Sequence, residues 1–359
     1  MITFFGVLPA VYRRHFALEY GGYIGIFFTF QAVSVSIFAT FSFLIQMRRE
    51  QKIINLVNLF FRLHDRVVEK THSVNMFREK FIFLLCLKFT ATIIGFTGEI
   101  PSLIHVEPYL QILFYITSTF GVYMWLSSMF VLDVCFLGFL VISSMYEEMG
   151  VYLKTMLHKM KYIETKDKFG ISISHYHCMK LLCESADNID ISGAIYHDLY
   201  EITNHFNRIF HWQILYYIYY NFMVILLLLH GCIYMYLSTD FINFMDLAMV
   251  LTKFTNLALL IMCADNIVQK SEIPNLLALD IVCSDIDERW DKSVETFINQ
   301  RKTENLEIKI LGFFQLQNEF ILVILSAIIS YMFILVQFGL SDAKNQTDSV
   351  VKNEFVQTH

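Results

Sequence analysis

The chain of 359 residues has few charged side chains and only four prolines. Charged residues make up 17% of it, whereas 56% are hydrophobic and the mean hydropathy is +0.50. A water-soluble domain of this size cannot bury so much apolar surface. Basic clusters with interleaved aromatics are also missing, which excludes a nucleic-acid-binding protein. The composition predicts a membrane protein.

Motifs for catalysis and metal binding are missing as well. The sequence has no Gly-rich phosphate loop, Gly-x-Ser-x-Gly elbow or His-Glu-x-x-His helix. Its seven cysteines are odd in number and scattered, so they do not predict a disulfide framework. Cys178 and Cys183 lie near His175 and His177, but their spacing matches no standard zinc site. We therefore expect no enzyme, no cofactor and no metal.

Six segments are apolar enough, over roughly 20 residues, to cross a bilayer as helices. Prolines are absent from their interiors, as uninterrupted helices require. We read residues 1–359 as a single all-α, polytopic transmembrane domain. The predicted spans are about 20–46, 81–98, 109–145, 209–237, 241–268 and 318–340.

Basic residues concentrate in the three long segments between spans, 47–80, 146–206 and 269–316, while the short links 99–108 and 238–240 have none. The positive-inside rule places the long segments in the cytoplasm and the C-terminal tail outside the cell. The tail contains one glycosylation sequon, Asn345-Gln346-Thr347. This topology is the inverse of a G-protein-coupled receptor and predicts a multi-pass protein of the plasma membrane.

The long cytoplasmic segments have the periodicity of amphipathic helices. Segment 270–316 reads as such a helix running into the last span. In segment 47–70, Arg62 and Arg66 lie on one face, and the apolar face comprises Ile53, Leu56, Val57, Phe60, Leu63 and Val67. The spans should therefore continue as helices into the cytoplasm.

The last span carries the most specific pattern. Gly312-Phe313-Phe314 precedes it, and Ser330-Tyr331 is followed by five hydrophobic residues and then Gln337-Phe338. This resembles the signature of the insect gustatory receptors, which belong to the seven-transmembrane chemoreceptor ion channel superfamily. Ser330 stands where that family usually has Thr, and Gln317 stands where an acidic residue is common. Looser similarity extends from about residue 20 to residue 340.

The resemblance implies a seven-span subunit with a cytoplasmic N-terminus and an extracellular C-terminus. Only six spans are evident here, and alignment from the C-terminal motif makes the first one the missing span. The resemblance further implies a tastant-gated, non-selective cation channel in taste neurons, with a bitter-type ligand as the default. Its partners would be a small-molecule tastant, membrane lipid and other subunits, in a homo-tetramer or a hetero-tetramer with other gustatory receptors.

A small and polar stripe on the last span could line a pore. At 100° per residue, Ser326, Ser330, Phe333 and Gln337 fall within about 60°, while Tyr331 points to the opposite side. The resemblance implies that this helix lines the pore of a tetramer, with Gln337 forming a ring. The alternative is that the serines allow close helix packing and Gln337 bonds to a neighbouring helix.

Lys253 lies deep within the fifth predicted span, where a lysine needs a partner or water. Asp246, seven residues earlier, and Asp133 in the third span could each form an ion pair with it. The alternative is that Lys253 faces a wet ligand cavity.

Aromatic and polar residues gather at the predicted outer ends of the spans, where the resemblance implies a tastant pocket. Converging rings with a few polar groups suit a small-molecule pocket. The alternative, which fits most of these residues individually, is that tyrosine and tryptophan mark the membrane interfaces. Together with Lys253, the pocket candidates are Tyr23, Phe27, Gln31, Tyr115, Tyr123, Trp125, His230 and Tyr234.

Two other functions stay open. An odorant receptor subunit shares the inverted topology, although it generally matches the last-span motif less closely. A secondary transporter would show internal repeats and interrupted helices, which are not evident.

Overall fold

Seven α-helices and one short β-hairpin make up the part of the chain that the computed structural model describes, residues 22–72, 79–104, 111–168, 175–239, 244–272 and 287–357. Where the structure describes them, the long proline-free apolar runs lie within helices. In chain order the elements are α1 (Gly22–Thr71), α2 (Glu79–Ile104), α3 (Gln111–Lys168), α4 (His175–Thr239), α5 (Phe244–Ser271), α6 (Glu288–Thr303), β1 (Lys309–Ile310), β2 (Phe314–Gln315) and α7 (Asn318–Gln357).

The longest helices extend well beyond the thickness of a bilayer. α4 has 65 residues, which at a 1.5 Å rise gives roughly 100 Å, against a hydrocarbon core of about 30 Å. Four stretches are long and apolar enough to cross a membrane within the part whose side chains are described: Phe130–Lys161, Tyr176–Ile233, Phe244–Ser271 and Asn318–Gln337. The predicted continuation of spans into helical extensions is thus seen in α1, α3 and α4.

α4 is the central helix of the bundle and packs against α1, α3, α5, α6 and α7. One close approach in this core involves Gly138 on α3 and Phe206 on α4. A Cβ atom at Gly138 would lie 2.5 Å from the Phe206 ring. That ring is enclosed by Phe139 and Phe210, with centroids 5.1 and 4.8 Å away. Glycine at position 138 therefore lets the two helices meet closely.

The part of α1 that follows its apolar run packs through the face that its periodicity predicts. Leu56, Leu63 and Val67 are buried, and Ile53 and Phe60 are partly buried against the same core. Val57, which the sequence also assigned to this face, is 44% exposed. Around the helix axis, Val57 lies about 80° from the centre of the buried face of α1, at the edge of its contact with the bundle.

The segment before the last span differs from the expectation of one helix over residues 270–316. α6 ends at Thr303, and the hairpin β1–β2 separates it from α7. In the hairpin turn, Leu311 and Gly312 both have left-handed backbones, with φ of +51° and +77°. Two successive left-handed residues cannot continue a right-handed helix, and they suit the tight turn of a hairpin.

α6 itself is the amphipathic helix that the sequence predicted in this region. The Asp287 side chain caps its start by accepting the Arg289 N–H, 3.0 Å away. Its apolar face buries Trp290, Val294 and Phe297, and it packs against α4. α6 therefore packs on the part of α4 that precedes its apolar run.

A buried arginine, Arg301, lies near the C-terminal end of α6. Arg301 is 4% exposed, forms an ion pair with Glu304, and lies 5.3 Å over the Tyr196 ring of α4. Burial lowers the pKa of the Arg301 guanidinium from its usual range. The ion pair and the ring offset this desolvation.

Candidate pore helix and buried charged cluster

α7 packs against the bundle through α4 and α5. Among the residues of α7 whose side chains are described, Ile324, Ile328 and Met332 form the buried stripe, and only 17% of the most apolar stretch is buried. The four predicted pore residues Ser326, Ser330, Phe333 and Gln337 are all exposed. At 100° per residue, their mean direction lies about 170° from that of the buried stripe. The predicted stripe therefore points directly away from the subunit's own core.

The Ser330 hydroxyl is satisfied within α7. Its Oγ donates to the Ser326 carbonyl oxygen at 2.9 Å. Tyr331, on the other side of the helix, has its ring 6.0 Å from that of Phe222 on α4, edge to face. The motif thus combines a tyrosine turned toward the bundle with serines turned away from it.

The Gly-Phe-Phe part of the motif forms the hairpin turn. Gly312 takes the left-handed position, and the Phe313 N–H donates to the Ile310 carbonyl oxygen at 3.0 Å. Phe313 is 81% exposed, whereas the Phe314 ring lies 5.5 Å from Phe320 at the start of α7. The side chain of Phe338, the last motif residue, lies outside the described residues.

The start of α7 is tied to α5 by a carboxylate. The Asn318 Nδ2 donates to the Asp265 Oδ2 at 2.5 Å, and the Gln269 Nε2 donates to the same oxygen at 2.6 Å. The Phe320 N–H donates to the Gln317 carbonyl oxygen at 2.9 Å. Gln317 stands where the resembling family commonly has an acidic residue, and here its backbone carbonyl, not its side chain, accepts this bond at the start of α7.

A cluster of polar side chains in the middle of the bundle joins four helices. Lys88 on α2 is 6% exposed, and its Nζ lies 3.0 Å from Asp133 on α3. The same ammonium donates to Asn256 on α5 at 2.8 Å and to the Tyr217 hydroxyl on α4 at 3.4 Å. Buried charges are tolerated when they are paired and hydrogen-bonded in this way.

Sequence analysis missed Lys88, although the signal was present. A lysine within the predicted span 81–98 carries the same cost that drew attention to Lys253. Asp133, one of the two partners suggested for Lys253, pairs with Lys88 and also accepts the Thr92 hydroxyl at 3.4 Å. The choice of partner depends on which helices adjoin, which is a tertiary property.

Lys253 lies one helical turn from Asn256 on α5 and is 1% exposed. Its ammonium is 5.1 Å from the centroid of the Tyr220 ring on α4, a cation–π distance. Two lysines and two tyrosines therefore meet at the same depth of the bundle, together with Asp133 and Asn256. A role for Lys253 in ligand binding stays a prediction.

Of the remaining pocket candidates, the side chain of His230 is described, and it is buried on α4 with 6% exposure. An apolar cavity of about 200 Å³ lies between α4, the hairpin and α7, and none of the pocket candidates lines it. The candidates whose side chains lie outside the described residues are Tyr23, Phe27, Gln31, Tyr115, Tyr123, Trp125 and Tyr234.

The cysteines and histidines near the start of α4 do not assemble into a ligand set. Across the described ranges, no group of three or more His, Cys, Asp or Glu side chains could hold a metal ion. The Cys183 thiol instead donates to the Asp287 carboxylate, with Sγ and Oδ2 separated by 3.4 Å.

Comparison with known proteins gives the family. The model of the 7tm chemosensory receptors matches residues 1–342. The chain is also 44% identical over 355 residues to the gustatory receptor for bitter taste 93a of Drosophila melanogaster, covering 99% of this chain and 84% of that protein. The chain belongs to the gustatory receptor family. This gustatory receptor is therefore a multi-pass membrane receptor and not an enzyme.

The fold of the receptor has a counterpart among solved structures. The insect olfactory receptor OR5 from Machilis hrabei superposes with a TM-score of 0.58 over 94% of this chain and 87% of that one, at 11% sequence identity. So low an identity relates the folds alone. The helical membrane architecture predicted from the sequence is confirmed, and so is the predicted family.

Proposed function

We propose that this receptor is a subunit of a tastant-gated, non-selective cation channel that assembles as a tetramer, and that its ligand is a bitter-type small molecule. The observation that carries the proposal is the orientation of α7. Its small and polar stripe points away from the subunit's own core, where neighbouring subunits or a shared pore would lie. The bitter-taste relative supports the choice of ligand class.

The proposed pore wall runs along α7 from Ser326 to Gln337. Serine hydroxyls and an amide provide a weakly polar surface, which cations can pass without being trapped. Phe333, 67% exposed on the same face, is the largest side chain of the stripe and is suited to narrow the path. The alternative use of this stripe, close packing against another helix, would need a helix that is not part of the described bundle.

Gating in this proposal is a shift between two populations. A tastant that binds the open arrangement more tightly than the closed one raises the open fraction by the ratio of the two affinities. The outer parts of α1, α3 and α4 and the lysine cluster are the proposed binding region. Because only 17% of its most apolar stretch is buried in the subunit, against 56–61% in the other spans, α7 can shift with less loss of packing than they can.

The experiment is whole-cell recording from cells expressing the chain, alone and with a second gustatory receptor, during application of bitter compounds led by quinine and denatonium. GDP-β-S in the pipette blocks G-protein signalling. We expect a rapid cation current that persists under this block. A current abolished by the block, or no current despite surface labelling, would contradict the channel proposal.

Gln337 provides the matched test of the pore. Gln337→Glu and Gln337→Trp should change single-channel conductance by about twofold or more, because the side chain borders the ion path. Surface expression should stay near wild type. Ile328→Trp, on the buried stripe, should instead lower surface expression through overpacking. Unchanged conductance in both Gln337 variants would remove this residue from the pore.

Assembly is tested separately by subunit counting. Receptors fused to a fluorescent protein should bleach in up to four steps per spot at the cell surface. A distribution limited to one or two steps would contradict the tetramer.

A further inference from the structure

The exposed face of α7 carries a charged residue, Glu319, at the N-terminal end of the helix. Glu319, in the first turn of α7, is exposed and forms no ion pair with the described residues. Relative to the buried stripe it points about 180° away, the direction shared by Ser326, Ser330 and Gln337. From Phe320 to Ser341 the sequence contains no other charged residue. Glu319 is therefore the single charge on this face over the whole width of a bilayer.

The spacing along α7 fits the two ends of a transmembrane path. Eighteen residues separate Glu319 from Gln337, which at a 1.5 Å rise is about 27 Å, close to the hydrocarbon thickness of about 30 Å. When Gln337 lies at the outer end of the path, Glu319 lies at the inner boundary with water. A carboxylate can stay ionised there, whereas deeper in the bilayer it could not.

The direction of Glu319 is fixed by its neighbours on both sides. Asn318 is held to Asp265 of α5 by its side-chain amide, and the Phe320 ring packs on Phe314 of the hairpin. With residues 318 and 320 attached to the bundle, the side chain between them is directed away from it. This anchoring places the carboxylate at the end of the exposed face rather than leaving it free to turn inward.

We infer that Glu319 is the charge-selectivity residue of the channel, forming a ring of carboxylates at its inner mouth. This assignment rests on the proposed function, since it requires that α7 of each subunit face a shared path. Several carboxylates around one opening create a negative potential that concentrates cations and repels anions. The weakly polar wall above them needs no charge of its own to favour cations.

A different role for Glu319 would be purely structural. An acidic residue in the first turn of a helix stabilises it through the helix dipole, typically by about 0.3–1 kcal/mol. That role would affect how much receptor reaches the surface and would leave ion selectivity unchanged. The two roles therefore differ in what they predict for the permeability ratio.

The test measures reversal potentials of the current evoked by the bitter compounds above, in the full receptor, after tenfold dilution of external NaCl. Glu319→Gln should lower the Na⁺ to Cl⁻ permeability ratio by about threefold or more, and Glu319→Lys should lower it further. Glu319→Asp, which keeps the charge, should stay near wild type. The matched control is Glu295→Gln, an equal loss of charge on the exposed face of α6, which should leave the ratio unchanged.

The possible outcomes separate the two proposals. A wild-type current whose selectivity is unchanged in Glu319→Gln and Glu319→Lys would overturn the role of Glu319 and leave the channel proposal in place. Lower surface labelling in these variants with an unchanged permeability ratio would assign Glu319 the structural role. Absence of any wild-type current would instead overturn the channel proposal on which this assignment rests.

Discussion

Gly138 on α3 lies against the Phe206 ring of α4 and provides a test of packing between these two helices. Gly138→Ala should lower the thermal stability of the detergent-solubilised receptor, because a Cβ atom there would lie 2.5 Å from the enclosed Phe206 ring. Overpacking typically costs about 1–3 kcal/mol, which outweighs the gain of about 1 kcal/mol from replacing glycine in a helix. Fluorescence-detected size-exclusion chromatography after heating measures the change.

Gly231→Ala, on α4, is the matched control. A Cβ atom there would meet nothing within 4 Å, so the substitution should raise stability by up to about 1 kcal/mol through helix propensity alone. If both alanine variants shift the melting temperature in the same direction, the close contact with Phe206 is not the reason why position 138 needs glycine.

Lys88 is the residue whose partners define the buried cluster. Lys88→Met keeps the length of the side chain but leaves Asp133 and Asn256 without the cation that they contact. We expect destabilisation, since Asp133, whose side chain is 36% exposed in the subunit, would lose the ammonium that neutralises it within a predicted span. The same heating assay measures it, with Lys80→Met, on an exposed position of the same helix, as the control.

The double variant Lys88→Met/Asp133→Asn tests the pairing itself. Removing both charges should restore part of the stability lost in the single variants, giving a non-additive cycle. Strictly additive losses would show that Lys88 and Asp133 do not interact energetically.

At the scale of single residues, the sequence predicted that the four polar-stripe residues of α7 share one face, but it predicted little of the buried cluster around Lys88. Helical periodicity sets the relative directions of Ser326, Ser330 and Gln337, so their shared face follows from spacing alone. The partners of Lys88 come from three other helices, and no local pattern encodes which helices adjoin.

Among the elements, the hairpin before α7 depends most on backbone conformation. Gly312 has φ of +77°, which a residue with a Cβ atom adopts only at a cost. Gly312→Ala should therefore destabilise the receptor by about 1 kcal/mol and lower its surface expression. Leu311, with φ of +51°, offers a second test of the left-handed turn, since asparagine tolerates this region of backbone conformation better than leucine does.

Leu311→Asn removes a partly buried side chain that packs against the core, but asparagine tolerates a left-handed backbone. Its melting temperature in the heating assay should therefore stay above that of Leu311→Val, whose β-branched side chain is strained in this region. A stabilising effect of Gly312→Ala, or a lower melting temperature for Leu311→Asn than for Leu311→Val, would contradict the left-handed turn.

The elements also differ in how well the sequence predicted them. Long apolar runs without proline predicted helices at all six spans, and the apolar stripe of segment 47–70 predicted the buried face of α1. The hairpin escaped prediction because its strands have two residues each. Such short strands leave no alternation to detect, and the flanking sequence has helical periodicity.

For the molecule as a whole, orientation in the membrane stays a prediction that can be tested directly. Asn345 belongs to the only Asn-x-Ser/Thr sequon in the chain. If the C-terminus is extracellular, Asn345 should carry a glycan, because glycosylation takes place on the lumenal side. Treatment with peptide N-glycosidase F should then increase electrophoretic mobility, and Asn345→Gln should remove the shift.

Val57→Thr provides the control for the opposite side. It creates a sequon at Asn55, on the part of α1 that is predicted to be cytoplasmic, at a position that is exposed in the subunit. In the Asn345→Gln background this sequon should stay unmodified. A glycan at Asn55 would invert the predicted topology.

The sequence by itself determined the membrane environment, the helices, the family and the side of α7 that carries its polar residues. The family follows from the resemblance of the last-span motif, and the rest follows from composition and periodicity, which are local properties of a chain in a bilayer. The tertiary structure decided which helices meet at Gly138, which acid neutralises Lys88, and that the polar face of α7 points away from its own subunit. Each of these depends on contacts between residues far apart in the chain, and helical spacing fixes directions only within one helix.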